Sequence, residues 1–495
     1  MKKIIESNYF KYGLLVVGLI AMYFHFGEFR IPLMAFIWPF CFLYLFRKAK
    51  PGLRFFLLSL VFFIQGQIFT IGSMGDPISD CATGLITFVF FYPTFVIDRI
   101  FYRKVNKVSK TLPVFFFPVL FSLVFIVENN IVAFMNAGQY TIPMYQGLIQ
   151  SVSIIGYHGM VFIVMMFASV MMYFVDNYGK KNVFKPLVAY IICFVVIVTA
   201  GELRLSFEKY LGDDTVRVAM STTSQACDFT WDGDFAPTEV DAKYVNSCME
   251  EAASCKSSII SFGEECIYLN DVDVDAFIDS VCKKAAELKL YVILPMEIGD
   301  TDNDVEGLGM NLFYFINDKG EIDGIYEKSM LIPVIEEPEY VPGNGDVYYK
   351  EVTFSNGKTL GIGGVICFDA DHELFVSSMN DNTDILFVPS WTWPYVDPAH
   401  TNVMRLRAIE NGVSVVNPSC CAKSSAVDWE GNIIAISDQN ITGLDHVTIA
   451  DVPYKYDSSK TIYHYISYPL LYLNVIALLF ILIYGIVLNV KSKKK

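Results

Sequence analysis

Eight apolar runs, each near the length of a bilayer-spanning helix, frame one long acidic stretch of this chain. They lie near 9–26, 30–46, 55–73, 82–97, 112–127, 148–175, 186–201 and 465–490, and a spanning helix needs roughly 17–25 predominantly apolar residues. Seven precede the acidic stretch and one follows it. The first run lacks a small-residue cleavage site and further runs follow, so it reads as a span rather than a signal peptide. With 54% hydrophobic residues and a mean hydropathy of +0.42, the chain is expected to be a membrane protein.

Charge divides the chain in the same way. Of the 52 Asp and Glu residues all but seven fall between Glu202 and Asp457, whereas more than half of the 37 Lys and Arg residues lie outside that span. Basic residues concentrate in cytoplasmic loops. With the N-terminus (MKK) inside, every second loop should be basic, and RKAKPGLR at 47–54, DRIFYRKVNKVSK at 98–110, DNYGKKNVFK at 176–185 and the tail KSKKK at 491–495 obey that rule. The intervening GSMGDPISD at 72–80 carries no Lys or Arg. Both termini are therefore expected in the cytoplasm, with the insert on the outer face of the cytoplasmic membrane. An acidic insert argues against nucleic-acid binding.

Within the insert, short β-rich runs alternate with helical stretches. TVRVAMSTT (215–223), SSIISFG (257–263), LYVILPM (290–296), NLFYFIND (311–318), TLGIGGVICF (359–368), DILFVPS (384–390) and VSVVNPS (413–419) read as strands. VDAKYVNSCMEEAASC, DAFIDSVCKKAAELK and AHTNVMRLRAIENG read as helices. Such alternation implies a layered α/β domain with strands buried on both faces. NDKGEIDGIYEK reads as a hairpin turning at Asp318, Lys319 and Gly320. The expected organisation is a membrane domain over 1–203, a catalytic domain over 214–455, an eighth span over 463–490 and a basic tail over 491–495.

Several familiar signals fail on inspection. DVDVDAF at 271–277 begins like a calcium loop, but Ala276 stands where glycine is needed and Cys282 where a bidentate Glu is needed. DHELF lacks the second histidine of a zinc motif, and neither GxSxG nor GxxxxGK[ST] occurs. What remains is a Glu just after a strand in FGEE (262–265), a Lys closing the hairpin in YEKSMLIP (326–333), and a Cys after another strand in ICFDAD (366–371). Taken singly, each is more often structural: a lone Cys packs as a small hydrophobe, and a lone Glu or Lys is a solvated charge. Together they supply a carboxylate to take the thiol proton, a thiolate to attack a carbonyl carbon, and an ammonium to stabilise the resulting oxyanion.

In order and in local sequence these pieces resemble the nitrilase, or carbon–nitrogen hydrolase, superfamily with its Glu-Lys-Cys triad. The seven-plus-one framework of apolar runs resembles that superfamily's membrane branch, the apolipoprotein N-acyltransferases, over essentially the whole chain. IISFGEE is similar to the family's VVWPET and places Glu264 as the first glutamate, with Gly263 in place of proline. YEKSMLIPVIEEPEYVP is similar to YDKxHLVPFGEYVP and places Lys328. GGVICFDAD is similar to GxxICYE and places Cys367 as nucleophile. A second family glutamate falls on Glu336 by spacing from the lysine, or on Glu339 by the local match EYVP. Glu297 in LPMEIG is a rival for the first glutamate, set aside because the family has a helix and a further strand before the lysine. Phe368 and Asp369 replace the family's Tyr and Glu beside the nucleophile, WTWP (391–394) replaces an Asn-Asp-Trp loop, and Cys420 and Cys421 stand where small polar residues are usual. RAIENG (407–412) and SAVDWEGNII (425–434) are further matches.

The resemblance implies eight transmembrane helices plus an α-β-β-α sandwich, acting as a monomer without metal or organic cofactor. Its implied reaction moves a fatty acyl chain from a membrane phospholipid, through a cysteine thioester, to the α-amine of a diacylglyceryl-cysteine lipoprotein. The rival is a membrane-bound amidase that releases the same thioester to water; a silent binding protein would retain the triad by chance. Eight of the eleven cysteines fall in the insert, where oxidation is possible, and Cys255 and Cys266 are near enough in sequence to meet. An activated Cys367 thiolate is expected to outpace the other insert cysteines toward an alkylating reagent.

Overall fold

The computed structural model describes residues 7–25, 31–71, 77–131, 146–208, 214–222, 239–264, 274–298, 308–333, 335–392, 397–437, 447–455 and 457–493. The chain forms two compact units, one of Met1–Ser206 with Tyr465–Lys495 and one of Phe207–His464.

The first unit is helical: α1 (Asn8–Phe24), α2 (Met34–Lys48), α3 (Leu53–Thr70), α4 (Pro77–Val105), α5 (Leu112–Asn129), α6 (Val152–Asp176) and α7 (Lys185–Glu208), with α11 (Ile462–Lys493) at the C-terminal end. Among the described residues, five helices are long and apolar enough to cross a membrane: Asp80–Val105, Leu112–Asn129, Val152–Asp176, Lys185–Phe207 and Ile462–Lys493. Two more, Asn8–Phe24 and Leu53–Ile68, are apolar but shorter. Eight spans are thus not reached by length and composition, although each expected run is occupied by a helix. One expected loop is corrected. The basic segment from Asp98 is largely helical, because α4 runs on to Val105. Its carboxylate is neutralised in place: Arg47 Nε lies 2.7 Å from Asp98 Oδ2, both side chains buried, so the charge does not end the helix. The sixth run is broken at Gly156, whose φ of 65° lies outside helical geometry.

The second unit is built on two six-stranded sheets. The first has the order β14-β1-β2-β3-β4-β5 and the second β13-β12-β10-β8-β7-β6, with a two-stranded pair β11-β9 beside them. Their ranges are β1 (Thr215–Ser221), β2 (Ile259–Ser261), β3 (Tyr291–Ile298), β4 (Met310–Ile316), β5 (Ile322–Glu327), β6 (Tyr348–Thr353), β7 (Thr359–Gly364), β8 (Ile385–Phe387), β9 (Ser390–Trp391), β10 (Ser414–Asn417), β11 (Ser419–Cys420), β12 (Ser425–Val427), β13 (Ile433–Ile436) and β14 (Val447–Pro453). Side chains alternate across a strand, and here both faces are buried. Val218, Ile259, Ile293, Phe313 and Phe315 point into the core shared with Ile362, Leu386 and Val415 of the other sheet. Ala219, Ile260, Val292, Leu294 and Leu312 point outward against α8 (Glu239–Ser254) and α9 (Val274–Leu288), through Val245, Met249, Ile278 and Val281. On the far side, α10 (Asp397–Asn411) packs Val403, Met404 and Ala408 into the second sheet's core. The result is an α-β-β-α sandwich. The glycines of β7 allow the sheets to approach: a Cβ at Gly364 would meet the Phe313 ring at 2.5 Å.

The hairpin forms as expected, β4 pairing with β5 antiparallel around Asn317–Gly320. β2 is parallel to β3, which is antiparallel to β4. β2 and β5 therefore run in the same direction, and Glu264 and Lys328 leave the sheet at the same end.

Candidate active site

Lys328 follows β5 directly, and its backbone is held on both sides: its N–H donates to Asn311 O and its C=O accepts from Gly343 N, each at 2.8 Å. Its side chain turns into the protein, where Nζ donates to Glu264 Oε1 at 2.7 Å and to Glu336 Oε1 at 2.5 Å. Only 1% of Lys328 and 1% of Glu264 is exposed, so both charges rest on this mutual pairing. Glu264 is further fixed by Asn311 Nδ2, donating to Oε1 at 2.8 Å, and by the Trp391 N–H, donating to Oε2 at 2.8 Å. The other oxygen of Glu336 accepts the Ile332 N–H at 2.8 Å.

Cys367 opens a 3-10 turn, Cys367–Asp371, beyond β7. Its φ of +44° is a left-handed conformation that costs a non-glycine residue about 1–3 kcal/mol. The turn is anchored by the Cys367 N–H, which donates to Pro389 O at 2.8 Å, while the thiol reaches Trp391 O at 3.7 Å. β9 thus serves both partners, its Trp391 N–H holding the carboxylate and its C=O facing the thiol. Asp369 binds the turn to the lysine segment: Oδ1 accepts from the Ser329 and Met330 N–H groups at 3.1 and 2.6 Å, and Oδ2 from Ile366 N–H at 2.9 Å and Tyr326 O–H at 2.7 Å.

Burial, with the Glu264 carboxylate next, holds the Cys367 thiol well above its ordinary range. Burial opposes the charge on Lys328, but Glu264 and Glu336 outweigh it and hold the ammonium well above its usual range. Burial raises Glu336 despite Lys328. Two carboxylates already face one ammonium, so a thiolate would add uncompensated charge. Burial and the neighbouring carboxylates thus favour the protonated thiol at Cys367.

Residues 226–457 match the family model described as carbon-nitrogen hydrolase. This stretch is a carbon–nitrogen hydrolase domain. The chain is 24% identical over 169 residues to a protein described as "Hydrolase in agr operon" from Staphylococcus lugdunensis, covering 34% of this chain and 69% of that one. Similar solved structures include an amidase from Nesterenkonia sp., at 15% identity and a TM-score of 0.41 over 49% of this chain and 92% of that one. A variant of the Nesterenkonia AN1 amidase of the nitrilase superfamily has 14% identity and a TM-score of 0.42, over 51% of this chain and 94% of that one.

Within the carbon–nitrogen hydrolase domain, the four residues Glu264, Lys328, Glu336 and Cys367 come together, and of the two candidates for the second glutamate it is Glu336 that pairs with Lys328. Glu339 is exposed and takes part through its backbone C=O, which accepts from Gly309 N. Glu297 sits on β3, opposite Asn311 in register, while Lys328 pairs with Glu264 and Glu336. Phe368 is buried and meets His372 edge-on, at 4.9 Å between centroids. Trp393, Pro394 and Cys266 lie outside the described residues. Sequence reasoning missed Asn311 and the backbone of Trp391. Asn311 had a signal, being the one polar side chain in the apolar strand MNLFYFI; a backbone N–H carries none.

Two expectations follow from the domain's geometry. A Cβ at Gly263 would stand 2.6 Å from Cys420 Sγ and 2.8 Å from Cys420 N, so the missing side chain at 263 leaves the space that Cys420 fills. Gly263→Ala is expected to lower stability by about 1–3 kcal/mol through overpacking, read as a fall in the thermal midpoint; an unchanged midpoint would refute the contact. Asp369 is pushed up to about 7, chiefly by burial, its donors opposing. Between an unfolded value of ~3.9 and about 7, the folded state binds the extra proton, so this group's contribution to stability declines as pH rises through that window. Relative to the parent, Asp369→Asn should therefore gain in melting midpoint as pH rises from 5 to 8; a difference between the two proteins that does not change with pH, or changes the other way, would count against it.

Proposed function

We propose that this chain transfers a fatty acyl group from a membrane phospholipid to the α-amine of a diacylglyceryl-cysteine lipoprotein, through a thioester on Cys367. The observation that carries the reading is the single buried cluster of Glu264, Lys328, Glu336 and Cys367, in a chain that also holds several long apolar helices. The reading places the chain in the cytoplasmic membrane with the catalytic unit on its outer side.

In the first step the Cys367 thiol gives its proton to Glu264 as sulfur attacks the ester carbon. The Lys328 ammonium and a backbone N–H take up the developing oxyanion. Collapse breaks the ester C–O bond, Glu264 returns the proton to the leaving oxygen, and a lysophospholipid departs. In the second step the acceptor amine attacks the thioester carbon, gives a proton to Glu264, and the C–S bond breaks to restore the thiol. Glu336 keeps Lys328 aimed at the reacting carbon.

The rival is a carbon–nitrogen hydrolase that forms the same thioester from an amide and yields it to water. It is favoured by the family model that residues 226–457 match, described as carbon-nitrogen hydrolase, and by the similar protein described as a hydrolase. Phospholipid labelled in its acyl chain, incubated with the protein and a diacylglyceryl-cysteine peptide, separates them. Labelled N-acyl peptide is the expected product. Free fatty acid in its place, or cleavage of a simple amide without acyl transfer, would replace the proposal by the hydrolase.

A further inference from the structure

Behind the nucleophile turn lies a second buried polar cluster that the acyl-transfer chemistry does not use. Arg407 on α10 is fully buried, and its guanidinium points in three directions. Nε donates to Ala370 O at 2.7 Å, Nη2 to Asp371 O at 3.2 Å, and Nη1 pairs with the fully buried carboxylate of Glu410. Ala370 and Asp371 close the same 3-10 turn that Cys367 opens. α10 is in turn tied to the segment where this unit ends: Thr461 Oγ1 donates to Glu410 O, and His464 Nδ1 lies 3.1 Å from Asn411 Oδ1.

The last carbonyls of a helical turn have no partner within it, and a cation at that end is favourable. Arg407 satisfies two of them at once, which a planar fork can do and a single ammonium cannot. A buried ion pair is poor value for stability, because desolvation offsets its attraction; its retention calls for another reason. Cys367 supplies one. Its left-handed φ relaxes unless both ends of the turn are held, and the front is held by Asp369 and by Pro389 O. Arg407 holds the rear.

We propose that Arg407 is a positioning residue for the nucleophile, clamping the Ala370 and Asp371 carbonyls so that the Cys367 thiol stays aimed at Trp391 O and the Glu264–Lys328 pair. This rests on the reading of Cys367 as nucleophile and adds to it the device that aims the sulfur. A misplacement of about 1 Å costs on the order of 100-fold in rate.

The test is single-turnover acylation of the full chain in detergent by a p-nitrophenyl ester, with the adduct located by mass spectrometry. Arg407→Lys keeps a charge opposite Glu410 but loses the fork. Its acylation rate constant is expected to fall about 100-fold, with the half-saturating ester concentration unchanged and with the assay run well below its own melting midpoint. Met249→Ala, a truncation in the core beneath α8, provides the structural comparison: its midpoint falls, and below it acylation stays within threefold of the parent. If Arg407→Lys does not accumulate, the triple variant R407M/E410M/E373Q removes the buried charges together, since Glu373 is also fully buried and faces Arg407, and should show the same loss. Acylation within threefold of the parent in either Arg407 variant, or a loss matched by Met249→Ala, overturns the proposal. An adduct away from Cys367, or equal acylation of Cys367→Ala, would instead overturn the nucleophile assignment itself.

Discussion

Cys367→Ala is expected to abolish the acyl-enzyme and to lower turnover by roughly 10⁴–10⁶-fold, the range seen when a covalent nucleophile is removed. The same change should barely move the melting midpoint. The residue is 8% exposed and the substitution removes a single sulfur atom, whose contact with Trp391 O is weak at 3.7 Å, so little packing is lost, and a left-handed backbone tolerates alanine no worse than cysteine. The burial-raised thiol adds a kinetic signature: the parent's acylation rate should track the ester's electrophilicity more steeply than that of a preformed thiolate, because proton removal and attack occur together. Full turnover in the alanine variant would end the assignment.

Lys328→Met carries the second large effect, and here stability and rate fall together. The methionine fills the space of the lysine stem but leaves Glu264 and Glu336, 1% and 6% exposed, facing each other without a cation. Breaking a buried pair in this way costs about 3–5 kcal/mol, and under the proposed mechanism loss of the Lys328 ammonium is expected to cost a further 10²–10³-fold in rate. The pH dependence distinguishes the cause. Without the ammonium, two buried carboxylates repel each other and taking up a proton relieves that repulsion, so the penalty shrinks as pH falls. Thermal unfolding should show the variant far below the parent at pH 8 and closer to it at pH 5. A penalty independent of pH would mean that Lys328 acts through packing rather than by neutralising the two carboxylates.

The strands of the second unit were legible because each is a short apolar run bounded by polar residues, and the hairpin because Asp318, Lys319 and Gly320 interrupt two such runs. β6 and β14 were not legible: Tyr348–Thr353 and Val447–Pro453 are edge or near-edge strands with exposed positions, so their apolar signal is diluted. Glu264, Lys328 and Cys367 were reached through local sequence likeness, since nothing in periodicity brings three distant residues together. Spacing from the lysine favoured Glu336 and the local match EYVP favoured Glu339, and only the turn around Ile332, whose C=O accepts from Glu336 N, directs one inward and the other out. The helices of the first unit followed hydropathy, but their ends did not. A charge such as Asp98 marks a loop only when no partner waits inside, and Arg47 is 51 positions away in sequence.

β1 and β14 are antiparallel neighbours, Thr215 opposite Pro453, and Tyr454 N donates to Asp214 O at 3.3 Å. The unit's first and last strands therefore meet at one corner. A fold whose ends coincide behaves as a cassette: it can be spliced into a host chain between two consecutive helices without pulling them apart. The same geometry suits it to excision, and to permutation by joining Asp214 to Tyr454 and opening the chain elsewhere.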